Sequence, residues 1–259
     1  GNNKEILLFQ GNNVKLYPRP AEAPALGRGN FSLAFCRNLW YPVPEVNDMT
    51  SKAAVNRIIE TLKGIYPDGL CSLQYKKDYE LLFAVRLSAQ CTDERVNKVT
   101  PALYARFPTL ESFAEADPAE VGEYIHSCGF YNGKARDIVA CAKKLVDEYG
   151  GKVPGTMEEL TGLPGVGRKT ANLILGDVFG QPAYVCDTHC IRITGRLGIT
   201  DGSKDPLQVE RQLRERIPPK ESNNFCHRMV LHGRAVCMAR KPDCPNCTLR
   251  PWCDFYTKS

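Results

Sequence analysis

Four cysteines near the C terminus, Cys237, Cys244, Cys247 and Cys253, fall within 17 residues in the pattern Cys-x6-Cys-x2-Cys-x5-Cys. Thiolates this close can wrap a single metal centre. Structural zinc is usually held by paired knuckles with about two to four residues between ligands. Only the central pair here is that close. The wider outer gaps suit a larger object, and four thiolates are the ligand set of a [4Fe–4S] cube. The spacing favours iron–sulfur and leaves zinc as the alternative. Eight further cysteines, at 36, 71, 91, 128, 141, 186, 190 and 226, are scattered singly. No export signal is recognisable, so buried free thiols are expected for these rather than a disulfide scaffold.

A second constellation is Leu163-Pro-Gly-Val-Gly-Arg-Lys-Thr-Ala171. Gly165 and Gly167 allow a sharp turn that presents backbone N–H groups at the mouth of a helix starting near Arg168, an arrangement suited to phosphate. The P-loop spacing is absent, and an ordinary glycine turn between two helices would read the same way. Lys169 then sits in the first helical turn beside Arg168, where the dipole and the neighbouring charge both disfavour an ammonium. Such a lysine can serve as a nucleophilic amine or bind phosphate at the surface. Asp187, in Val185-Cys-Asp-Thr-His189, stands immediately before another helical pattern. It can cap that helix and present a carboxylate to Lys169.

The elements that must position these residues read as helices from Thr50 onward. Apolar residues spaced three and four apart at Val55, Ile58, Ile59, Leu62 and Ile65 predict a helix over 51–65. Asp78 is a candidate cap for 79–89 and Asp93 for 94–106. Asp117-Pro118 opens 118–127, and a long helix over 132–148 stops at Gly150-Gly151. Thr156–Glu159 reads as a capping box. Helices near 168–178, 188–196, 206–216 and 223–236 follow, with no convincing strand after residue 50. The expected body is therefore an all-α globule of many helices with short connections.

The 259 residues carry 34 Lys+Arg against 29 Asp+Glu, with 43% hydrophobic and 24% charged residues. These are the proportions of a globular protein, and no run reaches the roughly 18 apolar residues of a membrane span. Disordered, collagenous and membrane classes are excluded. From 222 to 259 there are six Lys/Arg (228, 234, 240, 241, 250 and 258) against two acids, a local basic excess around the cysteine loop that argues for an anionic partner there.

Taken together, Leu163–Ala171, Val185–His189 and the four cysteines resemble the helix–hairpin–helix, catalytic-aspartate segment and iron–sulfur loop of the endonuclease III family of DNA-repair glycosylases. Leu87-Ser-Ala-Gln-Cys-Thr-Asp93 and Gly129-Phe-Tyr-Asn132 match two more family segments in order. The resemblance covers about residues 50–257. It implies the helix-hairpin-helix DNA glycosylase fold, all-α, with two helical lobes and a C-terminal iron–sulfur cluster loop. The boundaries it suggests are a first helix over 49–70 packing with the cluster lobe, a six-helix barrel lobe with the hairpin over 71–181, and a cluster lobe over 182–259.

The resemblance further implies a bifunctional enzyme that removes oxidised pyrimidines and cleaves the abasic site on its 3′ side by β-elimination. Lys169 would be the amine attacking C1′ and Asp187 the carboxylate assisting base departure and proton transfer. Gly165, Val166 and Gly167 would offer N–H groups to a phosphate, with Arg168 also contacting DNA. Gln90 would fill the hole left by the extruded nucleotide. Phe130 stands where the family inserts an apolar wedge, often leucine. Ser88, Asp93 and His189 would line the pocket, and Cys186 and Cys190 would serve packing. The cysteines would hold a [4Fe–4S] cluster.

The partner implied is double-stranded DNA containing damaged bases or abasic sites, bound by a monomer away from any membrane. The location implied is the prokaryotic cytoplasm, at the nucleoid. A related adenine–guanine mismatch glycosylase is the first alternative, but those enzymes usually lack a lysine at the position of Lys169. A non-catalytic iron–sulfur DNA-binding or electron-transfer module is the second, and it needs no Lys/Asp pair beside a phosphate-binding turn. Residues 1–48 lie outside the resemblance. Segments 5–9 and 14–17 could pair as a hairpin, but the density of proline and glycine makes an irregular extension, dispensable for catalysis, the expectation there.

Overall fold

The computed structural model describes residues 6–10, 13–17 and 51–257. The N-terminal expectation of an irregular extension is corrected in part. Strands β1 (Ile6–Gln10) and β2 (Asn13–Tyr17) pair antiparallel, with Ile6 opposite Tyr17 and Gln10 opposite Asn13. The two residues between them, Gly11 and Asn12, are types favoured in tight hairpin loops. The prolines that suggested irregularity begin at Pro18, just after β2. Expectations for the rest of that segment fall outside the described residues.

Among the described residues beyond residue 50, every regular element is helical. The order is α1 (Lys52–Ile65), α2 (Asp78–Leu87), α3 (Asp93–Arg106), α4 (Leu110–Ala114), α5 (Pro118–Ile125), α6 (Tyr131–Tyr149), α7 (Met157–Thr161), α8 (Arg168–Asp177), α9 (Thr188–Arg196), α10 (Pro206–Arg216), α11 (Ser222–Ala235) and α12 (Asp254–Thr257). Ser51 caps α1 through Ala54 N–H, and Asp117 caps α5 with Pro118 in its first turn. Gly150 ends α6 in the left-handed conformation at φ +59°, where a Cβ would be strained.

Two expected caps are displaced by one residue. Thr92, not Asp93, caps α3 by accepting from Arg95 N–H at 3.3 Å. The Asp93 carboxylate is drawn away by Ser72 and Arg234, each donating to Oδ2 at 2.6 Å. Asp78 is the first residue of α2 rather than its cap. Glu80 satisfies that helix start by accepting from the N–H groups of Lys76 and Lys77 at 2.7 and 3.2 Å. The predicted box at α7 is half present: Thr156 accepts from Glu159 N–H, while the Glu159 carboxylate takes the Thr156 hydroxyl instead of a backbone donor.

One contiguous apolar core runs from Ala54 to Trp252. The apolar stripe of α1 lies against α11, and Arg228 of α11 donates to the carbonyls of Tyr66 and Pro67 at 2.9 and 3.0 Å. α6 packs on α4 and α5 around a cluster centred on Phe113, whose ring lies 5.1 Å from those of both Phe83 and Phe107. α2 packs on α3, α6 and α8; α8 packs also on α7 and α11; and α9 packs on α11 and α12. This leaves the N-termini of α8 and α9 at the surface, each supported from behind. No helix among the described residues is long and apolar enough to cross a membrane.

Candidate active site

The turn before α8 is built by sequence chemistry. Pro164 and Gly165 occupy its two central positions, with Gly165 at φ +74°. Val166 N–H donates back to Leu163 O at 3.2 Å. This is the pattern of a type II turn, which needs a positive φ at its third residue. A Cβ on Gly165 would also come within 2.9 Å of Asp137 Cβ and 3.0 Å of Arg86 Nε, and Arg86 and Asp137 are themselves joined at 2.7 Å. Gly165 is thus required by the fold. Gly167 is not, since its φ of −99° is ordinary and a Cβ there would meet nothing. A glycine that the chain's own packing does not need leaves room for an approaching group at the positive end of α8.

Two expectations about this turn change. The Val166 N–H is consumed in closing the turn, so of the three expected phosphate donors only those of Gly165 and Gly167 remain. Arg168 does not project freely. Its guanidinium binds Glu210 of α10 through Nε at 2.7 Å and Nη2 at 2.8 Å. Glu210, with its side chain 4% exposed, also accepts from Arg214 and Asn172. Arg168 therefore pins α8 to α10.

Lys169 is exposed in the first turn of α8 and has no hydrogen-bond or ion-pair partner among the described residues. Asp187 is the N-cap of α9 and is half-buried; its Oδ1 accepts from Cys190 N–H at 2.7 Å. Its Oδ2 has no hydrogen-bond partner among the described residues. Cys186, next to Asp187, lies within electrostatic reach of Arg168, next to Lys169. The N-terminal ends of α8 and α9 are therefore within electrostatic range of each other. Cys186 and Cys190, which flank the Asp187 segment, are buried.

His189 lies in the first turn of α9, two residues after Asp187. Burial pushes its imidazole below the ordinary 6.5, with Asp187 and Asp93 opposing that shift and Arg192 and Arg234 adding to it. Asp187, Asp93, Arg192 and Arg234 thus each lie within electrostatic reach of His189. Arg192 Nη2 meets His189 Nδ1 at 3.1 Å, and a Cβ on Gly233 would collide with that same nitrogen. Ser88 contributes less: its hydroxyl donates to Val85 O at 2.9 Å and ends α2. Sequence reasoning missed Ser72 and Arg234, which hold Asp93 from 21 and 141 residues away. Nothing local marks either one.

Gln90 and Phe130 share a backbone signature. Both are non-glycine residues with positive φ, +57° and +47°, and Lys241 is the other such residue described. Both are exposed, and Phe130 is 74% exposed. Strained backbone carrying a large apolar side chain into solvent is the pattern of a contact surface rather than of packing.

The four C-terminal cysteines line one hollow together with Arg196, Pro242, Arg250 and Tyr256. No three of their sulfurs lie within 4.8 Å of one another. A tetrahedral zinc with Zn–S bonds of about 2.3 Å would need sulfurs about 3.8 Å apart, so the hollow fits a larger centre. Arg196 Nη1 donates to Cys237 Sγ at 3.2 Å, and His232 Nε2 lies 3.5 Å from Cys247 Sγ. Arg192 and Arg196 also bind the carbonyls of Cys237, Met238 and Ala239. Through these two arginines the helix that Asp187 caps also holds the loop. The basic excess around the loop is smaller at the surface than in the sequence, because Arg228 is buried on carbonyls and Arg234 is paired with Asp93.

Residues 83–219 match the HhH-GPD superfamily base excision DNA repair protein family. Endonuclease III of Synechocystis sp. is 48% identical over 205 residues, spanning 79% of this chain and 93% of that protein. Endonuclease III of Escherichia coli is 38% identical over 208 residues, spanning 80% and 98%. Among solved structures, a non-covalent endonuclease III–DNA complex superposes with a TM-score of 0.76 at 40% identity over 80% of this chain and 97% of that one. A trapped endonuclease III–DNA covalent intermediate, an estranged-adenine complex, has the same TM-score and identity, covering 80% and 98%.

Proposed function

From the premise that this chain belongs to the HhH-GPD superfamily of base excision DNA repair proteins, in its endonuclease III family, we propose that Lys169 and Asp187 carry out its bifunctional DNA glycosylase and abasic-site lyase chemistry. What supports this reading is a Lys169 amine exposed in the first turn of α8 without a partner among the described residues, together with an Asp187 carboxylate at the N-terminus of α9 that spends one oxygen on its cap.

The target base must leave the duplex stack before either group can reach it, at a cost of a few kcal/mol. Gln90 and Phe130 offset that cost by entering the space vacated. The N–H groups of Gly165 and Gly167 take a backbone phosphate. The Lys169 amine attacks C1′, and the N-glycosidic electron pair leaves with the base, which takes a proton from solvent. Asp187 Oδ2 accepts the proton shed by the amine and returns it to O4′ as the C1′–O4′ bond breaks, which opens the sugar to a protonated imine on Lys169. Removal of a C2′ proton then expels the 3′ phosphate by β-elimination, and water releases the lysine. Oxidised pyrimidines in double-stranded DNA are the substrates on this reading, and a monomer suffices.

The four cysteines would hold a [4Fe–4S] cluster, which supplies metal–thiolate bonds that order a loop too short for its own core. The helices group as two lobes on this view: α2 to α8 form the barrel, while α1 joins α9 to α12 through α11.

Borohydride trapping tests the reading. Wild-type protein incubated with duplex DNA containing an oxidised pyrimidine should give a covalent adduct on reduction, and Lys169→Gln should give none. An undiminished adduct in that variant would move the nucleophile elsewhere. Base release without any adduct would favour the mismatch-glycosylase alternative.

A further inference from the structure

The side chain of Lys134, in the first turns of α6, is only 1% exposed. It has no carboxylate partner among the described residues. Its ammonium instead donates to two carbonyls, Leu87 O at 2.8 Å and Cys128 O at 2.9 Å. Burying a charged amine is costly unless its donors are satisfied, so these bonds need a reason. Leu87 is the last residue of α2, and Cys128 the last of the 3-10 turn His126–Cys128. Both carbonyls lie at helix C-terminal ends, where a cation is favoured.

Each carbonyl also stands just before a strained, exposed residue. Gln90 follows Leu87 by three positions and Phe130 follows Cys128 by two, both at positive φ. The thiols of Cys91 and Cys128 interact electrostatically with each other and with the same ammonium, so the two loops also approach each other there. One buried side chain on a rigid helix thereby grips both loops.

We propose that Lys134 is a positioning residue for nucleotide extrusion. By tying Leu87 O to Cys128 O, it fixes the separation of Gln90 and Phe130, so that both enter duplex DNA at one lesion. This rests on the reading of the chain as a duplex-directed glycosylase and lyase. It assigns Lys134 no contact with DNA. A single-stranded abasic site has no opposing strand and no hole to fill, so Lys134 should matter little there.

The experiment uses the full cluster-containing protein and its Lys134→Met variant, whose stem is similar but lacks the ammonium. β-Elimination is measured on one abasic oligonucleotide, single-stranded and in duplex. Fluorescence of 2-aminopurine beside the lesion follows unstacking in the duplex. The variant should cleave the single strand within about threefold of wild type, lose about 10- to 100-fold on the duplex, as a displacement of about 1 Å can cost, and lose most of the fluorescence rise. In a Gln90→Ala/Phe130→Ala background, adding Lys134→Met should cause no further duplex loss. Equal loss on both substrates, or none on the duplex, would overturn the proposal. If the Met variant does not fold, Lys134→Gln is read by the same ratio. If neither folds, Lys134 serves the fold alone and the proposal fails. A wild-type protein inactive on both substrates would instead overturn the reading beneath it.

Discussion

Asp187 has two oxygens and two tasks, and a substitution can separate them. In Asp187→Asn the amide oxygen can still accept from Cys190 N–H, the 2.7 Å bond that caps α9, while the carboxylate charge is lost. Stability should stay within about 0.5 kcal/mol, and turnover on damaged duplex should fall at least about 100-fold. A melting point that collapses with activity would show that the charge also serves the fold. Lys169→Gln provides the complementary case: DNA affinity should stay within about tenfold, because one cation among many phosphate contacts is removed. The local setting of both residues was legible in the sequence because its signal is local: a glycine turn before one helix and a cap before the next. The pairing of Arg168 was not legible, for the opposite reason. Its partner Glu210 is 42 positions away, and no spacing rule announces it. Val166 was misread because the turn's own hydrogen bond uses its N–H.

Among the elements, periodicity and caps located the long helices well, with 188–196 and 206–216 matching α9 and α10. The five-residue α4 escaped because it is too short to show a period, and it is held by packing on α6. The displaced cap at α3 has a tertiary cause, since Asp93 is claimed by Arg234 from α11. The contact between α8 and α10 makes a measurable prediction. Burial alone would raise the Glu210 carboxyl, but the hydrogen bonds from Arg168 and Arg214 outweigh it and hold it below the ordinary 4.5. A depressed carboxylate contributes stability above its unfolded value, and that contribution disappears as pH falls through the folded one. Glu210→Gln should therefore cost about 1–3 kcal/mol at neutral pH, discounted because both arginines are nearly half exposed. The deficit should shrink below about pH 4 as the wild-type carboxyl protonates. Melting curves of both proteins from pH 3 to 7 would check this, and a deficit independent of pH would mean that shape, not charge, ties α10 to α8.

At the scale of the whole molecule, two segments test what the helical body needs. The first is the N-terminal stretch. α1 begins at Lys52 under its own Ser51 cap, so the body can start there without help. Deleting 1–48 should leave lyase activity on duplex DNA within about threefold, and a shortened protein that folds yet cannot bind damaged DNA would show the stretch to be functional. The second is the cysteine loop, whose positions were legible as a spacing but whose attachment was not. Leu249 and Trp252 are buried in the core, while Arg192 and Arg196 reach from α9 to bind the loop's carbonyls and Cys237 Sγ. The loop's order therefore extends to the helix that Asp187 caps. The purified protein should be yellow-brown, with about four irons per chain and broad absorption near about 400 nm from thiolate-to-iron charge transfer. Cys253→Ser should lower iron content and cost at least about 3 kcal/mol, or about 6–12 °C in Tm for a chain of this size. Lyase activity should fall with it, because α9 loses its anchor. Stoichiometric zinc without iron would replace the cluster assignment. A Cys253→Ser protein that lost its iron yet kept full lyase activity would show that the loop and the Asp187 helix are energetically independent despite the arginines that join them.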